Sequence, residues 1–153
     1  MKEFDFPKLY RNARENNNAQ ILIDSLPYAQ FLGMKAQYVE GALSFYLPPL
    51  KSNIGNPNLP ALHGGAIGGF MEVAAVVHLL MELDQEKIAG TEPRIPKVVD
   101  FSIDYLRACR FEDTFASCEV VRQGRRMANV AIRVWQSTPD NLTATARAHY
   151  VLG

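Results

Sequence analysis

The chain of 153 residues carries 16 basic and 16 acidic side chains. This length allows a single domain to bury a core of its own. The balanced charge gives no strongly charged face, which argues against nucleic acid and anionic membrane as partners and favours a small-molecule ligand. The two cysteines, Cys109 and Cys118, have neither CxxC spacing nor a histidine-rich neighbourhood, so we expect packed thiols without a disulfide or a bound metal.

The first 30 residues are predicted to form a helical extension of one domain that spans residues 1–153. Their start, MKEFDFPKLYRNARENNN, contains no apolar run. This argues against a signal or transit peptide and predicts a cytoplasmic protein. Pro7 suits a first helical turn, and we expect one or two short helices between Asp5 and Ser25.

A β-hairpin is predicted next. Two extended runs, Gly33 to Val39 and Ala42 to Leu47, are joined by Glu40-Gly41, a dipeptide typical of a turn between strands. Pro48-Pro49 ends the second run, and the density of Asn, Gly and Pro in positions 50–60 predicts a loop.

The segment from Ala61 to Leu83 predicts a long helix in the core. From Ala66 onward apolar side chains occur nearly all round a 3.6-residue wheel, so such a helix is buried on most sides. Four glycines, two histidines and Glu72 interrupt the apolar run, which is too short for a membrane span.

Four strand-like runs follow a polar loop at Asp84 to Pro96. They are Lys97 to Cys109, Thr114 to Gln123, Met127 to Gln136 and Thr143 to Leu152. In the last run Ala and Tyr at the even positions 144–150 alternate with mostly polar residues at the odd positions 145–151, which is the period of a strand with one covered face. Two strands, one apolar helix and four further strands predict an α+β fold, an antiparallel sheet with a helix against it.

The start of the helix predicts a site for a carbonyl oxygen. Gly64, Gly65, Gly68 and Gly69 each cost about 1 kcal/mol of helix stability relative to alanine, which indicates that something approaches the backbone closely. The first N–H groups of a helix have no intrahelical partner and carry the positive end of its dipole. Without side chains at Gly64 and Gly65, these amides can polarise a carbonyl as negative charge develops on its oxygen.

Glu72 is the second candidate group of the helix. It lies in sequence among Phe70, Met71 and Val73, so we expect the carboxylate to lose hydration and to have a function. Eight residues separate Gly64 from Glu72, which is about 12 Å along a helix, too far for both to act on one carbonyl. Two antiparallel copies of the helix across a twofold axis would bring the two groups together. We therefore predict a site shared between subunits.

His63, Gly64 and Gly65, with Glu72 nine positions after the histidine, resemble the motif of the hotdog-fold acyl-CoA thioesterases, in particular the hydroxybenzoyl-CoA and phenylacetate-pathway branches. The resemblance implies a hotdog fold, in which an antiparallel sheet wraps a long central helix, and a homodimer or a dimer of dimers. It implies hydrolysis of an acyl-CoA thioester without a cofactor, since coenzyme A is part of the substrate. Glu72 would act either as general base or as nucleophile, and His63 either caps the helix or takes a chemical part.

Two helper positions of the family are replaced in this chain. Six residues before the motif histidine the family often has Asn or Gln, whereas this chain has Pro57 with Asn58 beside it as a substitute. A serine that helps to position water in some relatives corresponds to Val98. With the apolar positions expected to contact the acyl group, the predicted substrate-binding residues are Asn58, Ile67, Met71, Val76 and Val98.

Three arginines, Arg122, Arg125 and Arg126, surround a predicted hairpin turn. They form either a solvated basic tip or a contact for the phosphates of coenzyme A, which the charge and fork geometry of arginine suit. Two alternatives to hydrolysis stay open at this level. One is an acyl-CoA-binding protein without turnover, and the other is a hydroxyacyl thioester dehydratase on the same fold.

Overall fold

The computed structural model describes residues 3–90 and 92–153. Three short helices come first: α1 (Phe6–Glu15), α2 (Gln20–Asp24) and α3 (Pro27–Leu32). The Asp5 side chain caps α1 by accepting a hydrogen bond from the N–H of Lys8 at 3.1 Å, as aspartate does at many helix starts. The helical extension predicted over residues 1–30 begins with residues 1 and 2, which lie outside the described residues.

The sequence pattern does not predict α3, because six residues are too few to display a helical period. Gly33, expected to begin a strand, instead ends α3 with φ of 73°. That left-handed conformation is common for glycine after a helix. Between Asp5 and Ser25 the structure contains two helices, α1 and α2, in agreement with the expectation of one or two, and α3 then delivers the chain to the sheet.

Strands make up most of the remaining chain. They are β1 (Lys35–Val39), β2 (Ala42–Leu47), β3 (Ile54–Asn56), β4 (Ala61–Leu62), β5 (Lys97–Tyr105), β6 (Thr114–Gln123), β7 (Met127–Trp135) and β8 (Leu142–Val151). Six of them form one sheet in the order β1-β2-β6-β7-β8-β5, and β3 pairs with β4 in a small ribbon. Every pairing is antiparallel.

The predicted hairpin is confirmed, and its turn explains its residues. Glu40 and Gly41 have φ of 51° and 80°, and positive φ at both central positions gives a two-residue turn whose twist matches that of the strands. The run expected from Lys97 to Cys109 is shorter than predicted. It ends at Tyr105, because the N–H groups of Leu106 and Arg107 turn to the carbonyl of Thr143 at 2.9 and 3.3 Å.

The long helix α4 (Gly64–Glu82) lies against the inner face of the six-stranded sheet. Small residues on that face let the helix approach closely, and all are buried: Ala116, Ala144, Ala146 and Ala148. The expectation that the apolar run is too short to span a membrane is wrong, because α4 is long and apolar enough by length and composition; 56% of its apolar window, however, is buried inside the protein. The predicted α+β hotdog layout, a sheet around one central helix, is therefore confirmed.

Candidate active site

The start of α4 is capped by the side chain that precedes it. His63 has φ of −64° and ψ of 133°, and its Nδ1 accepts a hydrogen bond from the N–H of Gly65 at 2.8 Å. The N–H groups of Ala66 and Ile67 donate to the His63 carbonyl at 3.0 and 3.1 Å. Within residues 3–90 and 92–153, the N–H of Gly64 has no acceptor. Of the two amides predicted to polarise a carbonyl, the Gly65 N–H is thus held by His63, and the Gly64 N–H is free.

The small β3–β4 ribbon holds His63 in place. The backbone N–H of His63 donates a hydrogen bond to the carbonyl of Asn53 at 2.7 Å, and Asn53 itself is buried. Gly55 lies so close that a Cβ there would be 2.7 Å from the Cα of His63, a contact that only glycine permits. The loop that the sequence predicts before the motif therefore contains a short ribbon that packs against the helix start.

Tyr105 is a site residue that the sequence analysis did not identify. Its hydroxyl donates to the carbonyl of Gly64 at 2.7 Å, and a Cβ on Gly64 would lie 3.4 Å from its ring. The peptide group between Gly64 and Gly65 is therefore bonded at both ends, its carbonyl by Tyr105 and its N–H by His63. The alternation of β5, which directs Ile103 and Tyr105 toward the helix, is the signal that could have revealed it.

Glu72 lies on the exposed face of α4, together with Gly65, Gly69 and Val76. Spacings of four, seven and eleven residues put these four positions on one side of a helix. The expectation that Glu72 loses hydration among its sequence neighbours is wrong for the single chain, because Phe70 and Met71 point into the core while Glu72 is exposed. Its carboxylate opens instead onto a cavity.

This cavity, which we call the Glu72 groove, has a volume of about 330 Å³. It is lined by residues 26–28 at the start of α3, by the exposed face of α4 from Gly69 to Val76, by Ile95, Pro96 and Val98, and by Tyr150. Most of these side chains are apolar, and Glu72 is the carboxylate among them. A volume near the lower limit of ligand pockets suits a compact apolar group.

Tyr150 forms the buried floor of the Glu72 groove. It is only 1% exposed, and its hydroxyl donates to the backbone carbonyl of Glu72 at 3.4 Å. Burial, and then the negative charge of Glu72, raise the pKa of Tyr150, so that the phenol remains protonated and acts as a donor. Val98 is the register partner of Tyr150 across β5 and β8 and faces the same groove.

The structure separates the predicted substrate-binding residues. Val76 and Val98 line the Glu72 groove. Ile67 and Met71 are 2% and 0% exposed, so in this chain they belong to the core and not to the groove, which corrects their predicted position. Asn58 lies in an exposed turn, where its backbone N–H donates to the side chain of Asn56 at 3.0 Å.

The three arginines line a separate cavity of about 410 Å³ at the β6–β7 turn. Asn129 and His149 contribute to the same cavity. The turn lies beside the end of α4, where Gln123 and the backbone of Asp84 exchange two hydrogen bonds of 2.9 Å. Because α4 has 19 residues and each adds 1.5 Å, about 28 Å of helix separates these arginines from His63 of the same chain.

One chain therefore presents three groups that do not share a cavity. The free Gly64 amide is at the start of α4, Glu72 opens onto the Glu72 groove about 12 Å further along, and the arginines are at the far end.

Strand β5 forms an edge of the six-stranded sheet. In the part of the chain that the structure describes, β5 pairs with β8 alone, and Val98, Val99 and Tyr105 are 38%, 56% and 53% exposed.

Comparisons with known proteins agree with this architecture. A family model, the thioesterase superfamily, matches residues 59–143. A protein of known structure from Chromobacterium violaceum is 39% identical, over 95% of this chain and 97% of that one, with a TM-score of 0.73.

Two structures of lower identity share the fold. A phenylacetic acid degradation-related protein from Ralstonia eutropha is 18% identical over 88% of this chain and 98% of its own, with a TM-score of 0.69. A Bacillus halodurans protein solved with CoA is 16% identical over 99% and 97%, also with a TM-score of 0.69. A comparison with curated proteins gives no match. The family model covers more than half of the sequence, and the chain belongs to the thioesterase superfamily.

Proposed function

We propose that the protein hydrolyses an acyl-CoA thioester at a site shared by two copies of the chain. Membership of the thioesterase superfamily supports hydrolysis as the reaction, and the Bacillus halodurans relative solved with CoA supports coenzyme A as the carrier. The observation on which the proposal mainly rests is the free Gly64 amide, which lies about 12 Å along α4 from the carboxylate that would have to act with it.

The exposed edge strand supports pairing with a second copy. A strand of nine residues with exposed apolar side chains and unpaired backbone groups is prone to associate with another strand. Along β5, Tyr105 lies at the Gly64 end of the helix and Val98 lies at the Glu72 groove. Antiparallel pairing of β5 with its twofold copy reverses this order, so the Gly64 amide of one subunit faces the Glu72 groove of the other.

In the proposed reaction the carbonyl oxygen of the thioester accepts a hydrogen bond from the Gly64 N–H at the positive end of α4. This bond stabilises the negative charge that develops on the oxygen. As general base, Glu72 of the facing subunit takes a proton from water while the water oxygen bonds to the acyl carbon. The tetrahedral intermediate then breaks its C–S bond, and coenzyme A leaves as a thiolate that takes up a proton. As nucleophile, the Glu72 carboxylate bonds to the acyl carbon, the C–S bond breaks with release of the coenzyme A thiolate, and water later hydrolyses the resulting anhydride to the free acid and the Glu72 carboxylate.

The Glu72 groove would hold the acyl group, since its lining is mostly apolar and the carboxylate opens into it. Arg122, Arg125 and Arg126 would contact the phosphates of coenzyme A. Their cavity also contains Asn129 and His149, which add further hydrogen-bonding groups to the three positive charges. The fork geometry of the arginine guanidinium suits the binding of phosphate groups.

Mixing two inactive variants tests the shared site. Gly64→Pro deletes the free N–H while keeping the helix, because proline is tolerated at the first helical position and the extended conformation of His63 is the one preferred before proline. Glu72→Gln removes the carboxylate. Each variant alone should lose at least about a hundredfold in kcat. The controls are Gly64→Ala, which retains the N–H, and Glu82→Gln, which changes the exposed acid at the end of the same helix.

Unfolded and refolded together, the two inactive chains should regain about a quarter of wild-type thiol release, because half of the statistical dimers contain one intact shared site. A site within one chain predicts no recovery. If every acyl-CoA of a broad panel binds to the wild type but none releases thiol, the protein is a binding module. If it hydrates an enoyl-CoA at enzymatic rates, it is a dehydratase.

A further inference from the structure

Tyr28 has an unusual position above the central helix. A Cβ built on Gly69 would lie 2.5 Å from both Cε1 and Oη of Tyr28. Real Cβ atoms do not approach other atoms so closely, so the ring lies directly on the helix backbone. Gly69 is in the helix interior, where glycine is unfavourable relative to alanine. The close approach of Tyr28 gives this glycine a physical reason.

The contact lies at the Glu72 groove. Tyr28, Gly69 and Glu72 all line it, and Gly69 is less than one helical turn from Glu72. Val98 and Tyr150 also line the groove, and Tyr150 is almost fully buried in the sheet. Tyr150 is part of the core and cannot move without disturbing it.

Tyr28 itself belongs to an exposed wall of the groove. It is 48% exposed and stacks on Phe31, which is 62% exposed, with ring centroids 6.3 Å apart. Both residues are on α3, a helix of six residues. The ring can therefore be removed or displaced without opening the hydrophobic core, in contrast to Tyr150.

We infer that Tyr28, seated on Gly69, is the specificity-determining residue that limits the size of the acyl group in the Glu72 groove. The inference rests on the proposed function, because it takes the groove to be the acyl site. The wild-type groove accepts compact acyl groups, such as a short aliphatic chain or a single ring. The Tyr28 ring excludes longer chains, for which an opening between α3 and α4 would be needed.

Two measurements on one series of acyl groups, from butyryl to palmitoyl, test the inference. The first is kcat/KM for thiol release from the acyl-CoA. The second is Kd for the matching S-alkyl CoA thioethers, which cannot be hydrolysed, so that the size preference is measured even for a protein without turnover. Wild type, Tyr28→Ala and Tyr28→Phe are compared, and thermal unfolding verifies that each variant is folded.

Tyr28→Ala should raise the preference for the long over the compact group at least about tenfold in both measurements, since single methylenes in an apolar pocket already discriminate by this amount. Tyr28→Phe keeps the ring and should keep the wild-type preference. In the wild-type background, Gly69→Ala should displace the Tyr28 ring and change the size preference. In the Tyr28→Ala background the same substitution should have little effect, because the new methyl group meets no ring.

An unchanged size preference in Tyr28→Ala, or the same change in Tyr28→Phe, overturns the inference. Absence of thioether binding by the wild type overturns it as well. Failure of the proposed function has a different signature, in which thioethers bind with the predicted dependence on Tyr28 while no acyl-CoA releases thiol.

Discussion

Removing the hydroxyl of Tyr105 tests whether the start of α4 is held for catalysis. Tyr105→Phe deletes the 2.7 Å hydrogen bond to the Gly64 carbonyl and leaves the ring that packs on Gly64 and lies near Gly68. The carbonyl keeps its intrahelical acceptor role in the α-helical pattern, so the helix itself should remain. The change therefore acts on the orientation of the Gly64–Gly65 peptide and of the free amide beside it.

The expected magnitude follows from one neutral hydrogen bond. Such a bond contributes about 1 kcal/mol net to stability, which lowers Tm by about 2–4 °C for a domain of this length. If the same free energy is lost in the transition state, kcat falls about fivefold. KM for the acyl-CoA should change little, because neither the Glu72 groove nor the arginine cavity contains Tyr105.

Tyr46→Phe is the matched control. It also removes a tyrosine hydroxyl bond of 2.7 Å, here to Asp113 on the outward side of β2. Steady-state thiol release and thermal unfolding are measured for both variants. We expect a comparable loss of Tm and an unchanged kcat for Tyr46→Phe. An unchanged kcat for Tyr105→Phe, or an equal fall in both variants, would refute a positioning role for Tyr105.

Three further predictions concern other parts of the molecule. Charge reversal at Arg125 and Arg126 should raise KM for an acyl-CoA about tenfold at low salt, and less at high salt; an unaltered KM would mean that the turn is only a solvated tip. Burial lowers the pKa of His78, with a smaller opposing effect of Glu82. The unfolded chain thus binds this proton at higher pH than the folded protein, and stability is lost as pH falls below about 6.5. His78→Gln should flatten that fall in Tm between about pH 7 and 5, and an identical pH profile would contradict it. Burial also raises the pKa of the Cys118 thiol, so alkylation at about pH 8 should be far slower in the folded than in the unfolded protein; equal rates would show that the thiol is accessible.

Local patterns were sufficient for much of the architecture. The Glu40-Gly41 turn and three of the four later strands agree with the sequence prediction to within one residue at each end, and the apolar helix expected in the segment from Ala61 to Leu83 extends from Gly64 to Glu82. Each of these depends on a period or a turn within a few residues, and such signals are present in the chain before it folds. The helix α3 has too few residues to show a period, and it was not predicted.

The surroundings of the candidate site required the tertiary structure. Sequence neighbours suggested a buried Glu72 and an acyl site containing Met71, whereas the helix turns these side chains in different directions, Glu72 to the groove and Met71 to the sheet. Tyr28 and Tyr105 reach α4 from segments that are about 40 positions away in the chain. Their contacts arise only when the sheet and the N-terminal helices close around the helix, because no local period encodes which distant side chain will lie on a given glycine.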